Sequence, residues 1–129
     1  QNNAARLVLK KNKFSSAEPL LNELHWLPVR KRIQNKICTL VFKCLNDQCP
    51  VYLSDLVQKY SPTRHLRSSD DPTLLVKHKT SRRIGERSFF FSAPTFWNSL
   101  PQSLREEKST ESFKSLLKTY LFTLDSCTA

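Results

Sequence analysis

Hydrophobic residues recur along this chain mainly at the three- and four-residue spacing that places side chains on one face of a helix. The longest such pattern predicts a helix beginning at Pro28, because proline is favoured at the first helical position. The last pattern predicts an amphipathic helix over residues 109–122, with Lys114 and Lys118 on its outer side. The buried face of the first helix should contain Ile33, Ile37, Leu40, Val41, Cys44 and Leu45, and that of the last Phe113, Leu116, Leu117, Tyr120 and Leu124.

Shorter elements are predicted around these two helices. Residues 3–11 form a short helix, and Ser15 caps the next one in a capping-box pattern with Glu18. A further helix covers residues 50–60. Residues 73–80 alternate as a short strand and Gly85 makes a turn. An aromatic-rich helix then carries Trp97, and Pro94 must lie near its start or kink it.

These elements predict a mainly α fold: a small multi-helix domain of about six helices, with at most one short β element near residues 73–91. The chain is interpreted as a single module, residues 1–129, and the absence of methionine suggests a piece of a longer protein. Its parts are a basic helical part (1–60), a basic loop and strand segment (61–88) and a second helical part (89–129). Trp26 and Trp97 should anchor the core.

Positive charge changes this picture, because it is large and uneven. The net charge of the 129 residues is +10. Residues 1–60 contain ten Lys or Arg against four Asp or Glu, and residues 61–87 contain seven against three. Residues 88–129 are balanced at four against four. The excess in the first two thirds indicates a polyanionic partner that binds there.

Two groups of basic residues are the candidate phosphate contacts. The first lies on the long helix, where Arg30, Lys31 and Arg32 crowd a first turn whose dipole should repel them. Arg32, Lys36 and Lys43 continue from there as one stripe, for which an ordinary solvated face is the alternative. The second group lies in the loop and strand segment and comprises Arg64, Arg67, Arg82, Arg83 and Arg87, with Lys77 and Lys79 nearby. The aromatic run at residues 89–91 favours core packing over base stacking.

Catalytic and metal chemistry find little support in the sequence. One glycine cannot build a phosphate-cradling loop, and the paired aspartates at 70–71 are interpreted as a solvated turn. Cys38, Cys44, Cys49 and Cys127 are expected to be mainly buried free thiols, which fit a reducing compartment. A zinc site with Cys44, Cys49 and His65 is the less favoured alternative. We expect no enzyme activity, no cofactor and no membrane partner.

Several segments, taken in order, resemble a known family. The chain is similar, over essentially its whole length, to the C-terminal region of LINE-type (non-LTR) retrotransposon reverse transcriptases. The similar segments are QNNAARLV, ELHWLPVRKRIQNKI, FKCLNDQCPVYLSDLV, LRSSD, APTFWNSLPQSLR and ESFKSLLKTYLF. The pairing of LHWLPVR with WNSLP is its most specific feature. The family's paired catalytic aspartates have no counterpart here, and neither does the cysteine-histidine knuckle of some relatives.

The resemblance implies a location and a set of partners. The parent protein would be an RNA-directed DNA polymerase that nicks DNA with its own endonuclease, and this module would follow its polymerase domain. RNA or target DNA, together with the upstream polymerase domain, are the expected partners, in a ribonucleoprotein of the cytoplasm and nucleus. The alternative is a structural module whose basic residues, Arg30 to Arg32, dock onto acidic residues of the polymerase domain. A membrane-surface helix is a distant third, because the apolar face fits a protein core.

Overall fold

A computed structural model describes residues 1–61, 71–79 and 85–126. These ranges contain seven α-helices: α1 (Asn2–Val8), α2 (Ala17–Glu23), α3 (Val29–Leu45), α4 (Val51–Ser54), α5 (Phe89–Asn98), α6 (Gln102–Arg105) and α7 (Thr110–Ser126). A 3₁₀ turn over Gly85–Arg87 precedes α5. The predicted mainly α fold is therefore confirmed. None of the helices in these ranges has the length and apolar character needed to cross a membrane.

Proline begins three of the helices, in each case as the N-cap. Pro28, Pro50 and Pro101 precede the first residues of α3, α4 and α6 with extended backbone. The carbonyl of Pro28 accepts the first helical hydrogen bond of α3, from the Arg32 N–H at 2.9 Å. The predicted position of Pro28 was thus one residue off. The capping box was also wrong, because Ser16 is the N-cap of α2 and its side chain makes no capping hydrogen bond.

Three helices end in a Schellman turn without glycine. The residue after the C-cap is Lys10 (φ 51°) after α1, His25 (φ 53°) after α2 and Asp47 (φ 55°) after α3. In each turn the following N–H closes the helix, as when Trp26 donates to the Leu21 carbonyl at 2.8 Å. Glycine usually takes this left-handed position, and the chain has a single glycine elsewhere. The turn after α2 directs the chain from α2 into Pro28 and α3.

Aromatic stacking at the centre of the main core joins α3, α5 and α7. Phe42 stacks on Phe113 with ring centroids 4.3 Å apart, and Trp97 lies 5.8 Å from Phe113. The predicted burial of Trp97 is confirmed at 1% exposure. Around them pack Leu27, Cys38, Val41, Leu75, Ala93, Leu100, Leu104, Leu117 and Leu121. A smaller cluster of Ala5, Leu20 and Leu21 joins α1 to α2.

Several residues predicted to be buried are exposed. The side of α3 that packs into the core is centred on Cys38, Val41 and Phe42, although neither Cys38 nor Phe42 was in the predicted face. Because successive helix residues are rotated by about 100°, Ile33 falls at the edge of the packed side and is 53% exposed. On α7, Leu116 also falls at the edge of the packed side, whereas Leu124 is 38% exposed near the C-terminal end of the helix.

An extended segment, residues 71–79, which begins with a turn at Pro72 and Thr73, replaces the predicted strand. In the described residues its β pairing is reduced to one antiparallel bridge between Lys59 and Leu75. The flanking hydrogen bonds run from Tyr60 N–H to the Leu74 carbonyl and from Val76 N–H to the Gln58 carbonyl. Its other contacts come from side chains of the helical part, so the segment is held mainly by tertiary interactions.

The WNSLPQSLR motif supplies those side chains. Trp97 Nε1 donates to the Thr73 carbonyl at 2.8 Å. The Asn98 amide accepts from the Leu75 N–H at 2.9 Å and donates to the Leu75 carbonyl at 2.8 Å. Arg105 pairs with the Asp71 carboxylate at 2.6 Å and donates to the Thr73 hydroxyl at 3.0 Å. These three motif residues therefore have a structural role, holding the extended segment onto α5 and α6.

Asp71 is consequently not the solvated turn residue that the sequence suggested. Its side chain is 18% exposed, and that of Arg105 only 7%. Partial burial alone would raise the pKa of the Asp71 carboxyl, but hydrogen bonds from Thr73 and the Arg105 guanidinium lower it below its ordinary value. The ionised Asp71 carboxylate therefore contributes to the stability of the fold.

Candidate nucleic-acid interface

A groove between α3 and α7 brings basic side chains of two helices together. It measures about 770 Å³, and its lining includes Arg32 and Lys36 from α3 and Lys114 and Lys118 from α7. Arg32, Lys36 and Lys118 are exposed, so their charges are available to an outside partner. Part of the floor is apolar, with Val29 and Ile33 each more than half exposed. The basic stripe of α3 is therefore one side of a two-helix surface, which we call the α3–α7 groove.

Lys114 and Lys118 were missed as site residues, although the sequence contained a partial signal for them. Both lie on the outer side of an amphipathic helix, a position that ordinary solvated lysines also occupy and that therefore does not by itself indicate a binding site. What distinguishes them is the packing of α7 against α3, which sets them opposite Arg32 and Lys36. That packing joins residues about eighty positions apart in the sequence, and helical periodicity alone does not predict it.

Lys43, at the far end of the stripe, has an acidic neighbour that was not expected. Glu111 of α7 forms an exposed ion pair with Lys114 at 2.8 Å. The pKa of the Glu111 carboxyl lies below its ordinary value, first because of that hydrogen bond and also because the charge of Lys43 is close. The positive charge of the surface is therefore partly neutralised near Lys43 and Lys114, and strongest near Arg32, Lys36 and Lys118.

The other two basic residues in the first turn of α3 do not line the α3–α7 groove. Arg30 and Lys31 line a shallow cavity between α2 and α3, and Glu18 lines the same cavity. Arg30 is exposed, whereas Lys31 is half-buried and makes an interaction of its own. The crowded first turn is thus divided between two surfaces, with Arg32 directed to the α3–α7 groove.

The second predicted group can be followed only in part. Arg87 lies exposed in the 3₁₀ turn before α5, and Lys77 and Lys79 are exposed in the extended segment. Arg64, Arg67, Arg82 and Arg83 lie outside the described residues. Within the run at 89–91, Phe89 packs against the core and Phe90 stacks on His78, with centroids 3.8 Å apart. The prediction of packing is confirmed for Phe89.

The cysteines form no metal centre in the described part of the chain, where no cluster of three potential ligands occurs. Cys38 and Cys44 are buried free thiols, as predicted, and Cys49 is half-buried. The Cys49 thiol lies 2.6 Å from the Cys44 sulfur and 3.2 Å from the Ser54 hydroxyl. Burial raises the pKa of Cys38 to about 12, and burial together with the Cys49 thiol raises that of Cys44 to about 12. His65 and Cys127 lie outside the described residues.

A third cavity adjoins the α3–α7 groove at Arg32 and Lys118. It measures about 510 Å³ and is lined by Gln1, Ala4, His25, Trp26, Arg32 and Lys118. Trp26, predicted to be a core anchor, is 36% exposed and belongs to neither apolar cluster. The prediction fails because the Schellman turn at His25 ends α2 before Trp26, and the buried residue of the following loop is Leu27.

Comparisons with protein-family models, curated proteins and solved structures found no match to this chain.

Proposed function

We propose that this chain is a non-catalytic nucleic-acid-binding module, the C-terminal part of a LINE-type reverse transcriptase. In this proposal it contacts phosphates of RNA or target DNA during target-primed reverse transcription. The carrying observation is the α3–α7 groove, where two helices that are distant in sequence place exposed cations around one depression. Lysine and arginine side chains that neutralise phosphates supply the sequence-independent part of nucleic-acid affinity.

This proposal explains why basic residues occur in the first turn of α3, where the helix dipole opposes them. Each cation in that turn costs about 0.3–1 kcal/mol against the helix dipole. For Arg32, a phosphate in the groove would offset that repulsion, and Lys36 and Lys118 would share the same polyanion. The resemblance of the sequence to reverse transcriptases supports the choice of nucleic acid as that polyanion.

The test is the salt dependence of RNA and DNA binding by the full chain. Changing Arg32, Lys36 and Lys118 to glutamine should lower the magnitude of the slope of log K against log salt by roughly 0.7–0.9 per lost contact, in total by about two to three units. RNA and DNA affinities should fall together, because phosphate contacts do not read sequence. Circular dichroism should show the helices intact, since surface changes usually alter stability by about 0.5 kcal/mol or less.

A matched control is available on the same chain. Lys10, Lys11 and Lys13 are exposed after α1 and do not line the groove, so their change to glutamine removes the same charge elsewhere. The control should keep most of the slope. Equal slopes for the groove variant and the unaltered chain would contradict the proposal, and equal losses in both triple variants would reduce it to a general charge effect.

Protein docking is the second candidate function, and the floor of the groove favours it. Val29 and Ile33 are more than half exposed beside the cations, a combination suited to an acidic, amphipathic segment such as one from the upstream polymerase domain. Replacing Ile33 with serine separates the two functions. Protein docking should weaken when that apolar contact is lost, whereas phosphate binding should be almost unchanged.

A further inference from the structure

Trp26 and the two cations beside it belong to one cavity. The indole lies with Arg32 and Lys118 in a lining of six residues, and the volume of about 510 Å³ is in the range of small-ligand sites. In the described part of the chain, that lining contains no carboxylate. An aromatic face beside paired cations combines the two features that bind single-stranded nucleic acid: base stacking and phosphate neutralisation.

Phe122 contacts two of the residues that line this cavity. His25 adopts a left-handed backbone at the end of α2, and its ring makes a T-shaped contact with Phe122, with centroids 6.3 Å apart. Lys118 lies over the face of the same phenyl ring, 5.9 Å from its centroid. Phe122 therefore positions both the loop that carries Trp26 and the Lys118 ammonium.

We propose that this cavity binds an unpaired nucleotide, with its base stacked on the Trp26 indole and its phosphate between Arg32 and Lys118. The inference rests on the proposed nucleic-acid function and makes it specific: the preferred ligand is single-stranded. A paired base inside a duplex is not free to stack on a protein side chain, so a duplex would use only the phosphate contacts. Because Arg32 and Lys118 also line the α3–α7 groove, a strand leaving the cavity would continue along that groove.

Tryptophan fluorescence can test the stacking directly. Of the two tryptophans, Trp97 is 1% exposed and Trp26 is 36% exposed, so a bound base can quench only Trp26. The probes are an oligouridine strand of about ten nucleotides, within the site sizes of such proteins, and an RNA duplex of equal length. The strand should quench the emission of the full chain, and the duplex should bind with much less quenching.

Variants at Trp26 complete the experiment. Trp26→Ala should weaken single-strand binding about 5- to 150-fold, the range for losing one stacked base, while duplex binding changes little. Trp26→Phe should retain most of the single-strand affinity, because phenylalanine still offers an aromatic face. Should the alanine variant fail to fold, the quenching experiment and the phenylalanine variant still decide.

The possible outcomes separate this inference from the proposed function. If both RNAs bind with a steep salt dependence but neither quenches Trp26, the phosphate surface stands and the nucleotide cavity is refuted. Equal weakening of strand and duplex by Trp26→Ala would refute it too, because a structural effect on the loop does not discriminate between them. If neither these RNAs nor a DNA of equal length binds, both proposals fail.

Discussion

Replacing Arg105 with methionine should destabilise the protein strongly, because Arg105 belongs to a largely buried ion pair. Methionine keeps most of the apolar stem but, being shorter and uncharged, removes three interactions. Arg105 pairs with Asp71 at 2.6 Å, donates to the Thr73 hydroxyl at 3.0 Å and donates to the Leu100 carbonyl at 3.1 Å. Its side chain is only 7% exposed, so water cannot easily replace them.

The magnitude follows from the group that is left behind. Breaking a buried ion pair by removing one partner costs about 3–5 kcal/mol. Asp71 keeps the hydrogen bonds from Thr73 and is 18% exposed, which places the expected cost near the lower limit, about 3 kcal/mol. For a chain of this size the melting temperature should fall by roughly 10 °C. Thermal and urea unfolding followed by circular dichroism would measure both quantities.

An exposed ion pair on α7 provides the control. Lys114 and Glu111 pair at 2.8 Å with side chains 41% and 83% exposed, so Lys114→Met should leave the melting temperature almost unchanged. Comparable melting temperatures for the Arg105 and Lys114 variants would contradict the role assigned to Arg105. They would mean that Trp97 and Asn98 hold the extended segment without it.

The pH dependence of stability offers an independent check. The pKa of Asp71 is lowered in the folded protein from its ordinary value of 3.8. The stabilisation is therefore complete above pH 3.8 and is lost as the pH falls through the lower, folded value. Asp71→Asn should lack this acid-dependent part, so the difference in unfolding free energy between it and the unaltered chain should shrink below about pH 4.

Two further predictions concern the helix ends and the thiols. Lys10→Gly should raise the free energy of unfolding by about 0.5–1 kcal/mol. Glycine removes the left-handed backbone strain of about 1–2 kcal/mol, but part of that gain is offset because glycine adds entropy to the unfolded chain. A lower melting temperature would show that Lys10 is not strained. Iodoacetamide at pH 8 should alkylate Cys49 before Cys38 and Cys44, whose pKa values of about 12 leave almost no thiolate. Peptide mass spectrometry would follow the order, and simultaneous labelling of all three would indicate an open core.

Periodicity in the sequence was sufficient to predict the fold class, since it is a local property that each helix carries along its own face. The predicted α3 and α7 exist, Trp97 is buried, and Phe113 and Leu117 lie in the core. The stripe of Arg32, Lys36 and Lys43 was equally predictable, because 3.6 residues per turn determines which side chains share a direction. These conclusions need no knowledge of what lies opposite each helix.

The orientation of each face toward its partner was decided by tertiary packing. The periodicity of α3 predicted a packed side centred near Ile37, but α5 and α7 cover the side of Cys38 and Phe42. The same packing brings Lys118 to Arg32 and Glu111 to Lys43. Such neighbours belong to segments that are far apart in the chain, so their meeting depends on how helices pack and not on local spacing.

Turn geometry determined where Trp26 and Leu27 lie. A Schellman end with His25 in a left-handed conformation was not predicted, because glycine is its usual signal, and it leaves Trp26 at a cavity and Leu27 in the core. The WNSLPQSLR motif showed a resemblance in the sequence, but only the folded chain shows what Trp97, Asn98 and Arg105 bind. The sequence alone determined where the helices form and which charges they carry, because both depend on residues that are close together in the chain. The tertiary structure determined which charges and aromatic rings meet, because those contacts form across long separations.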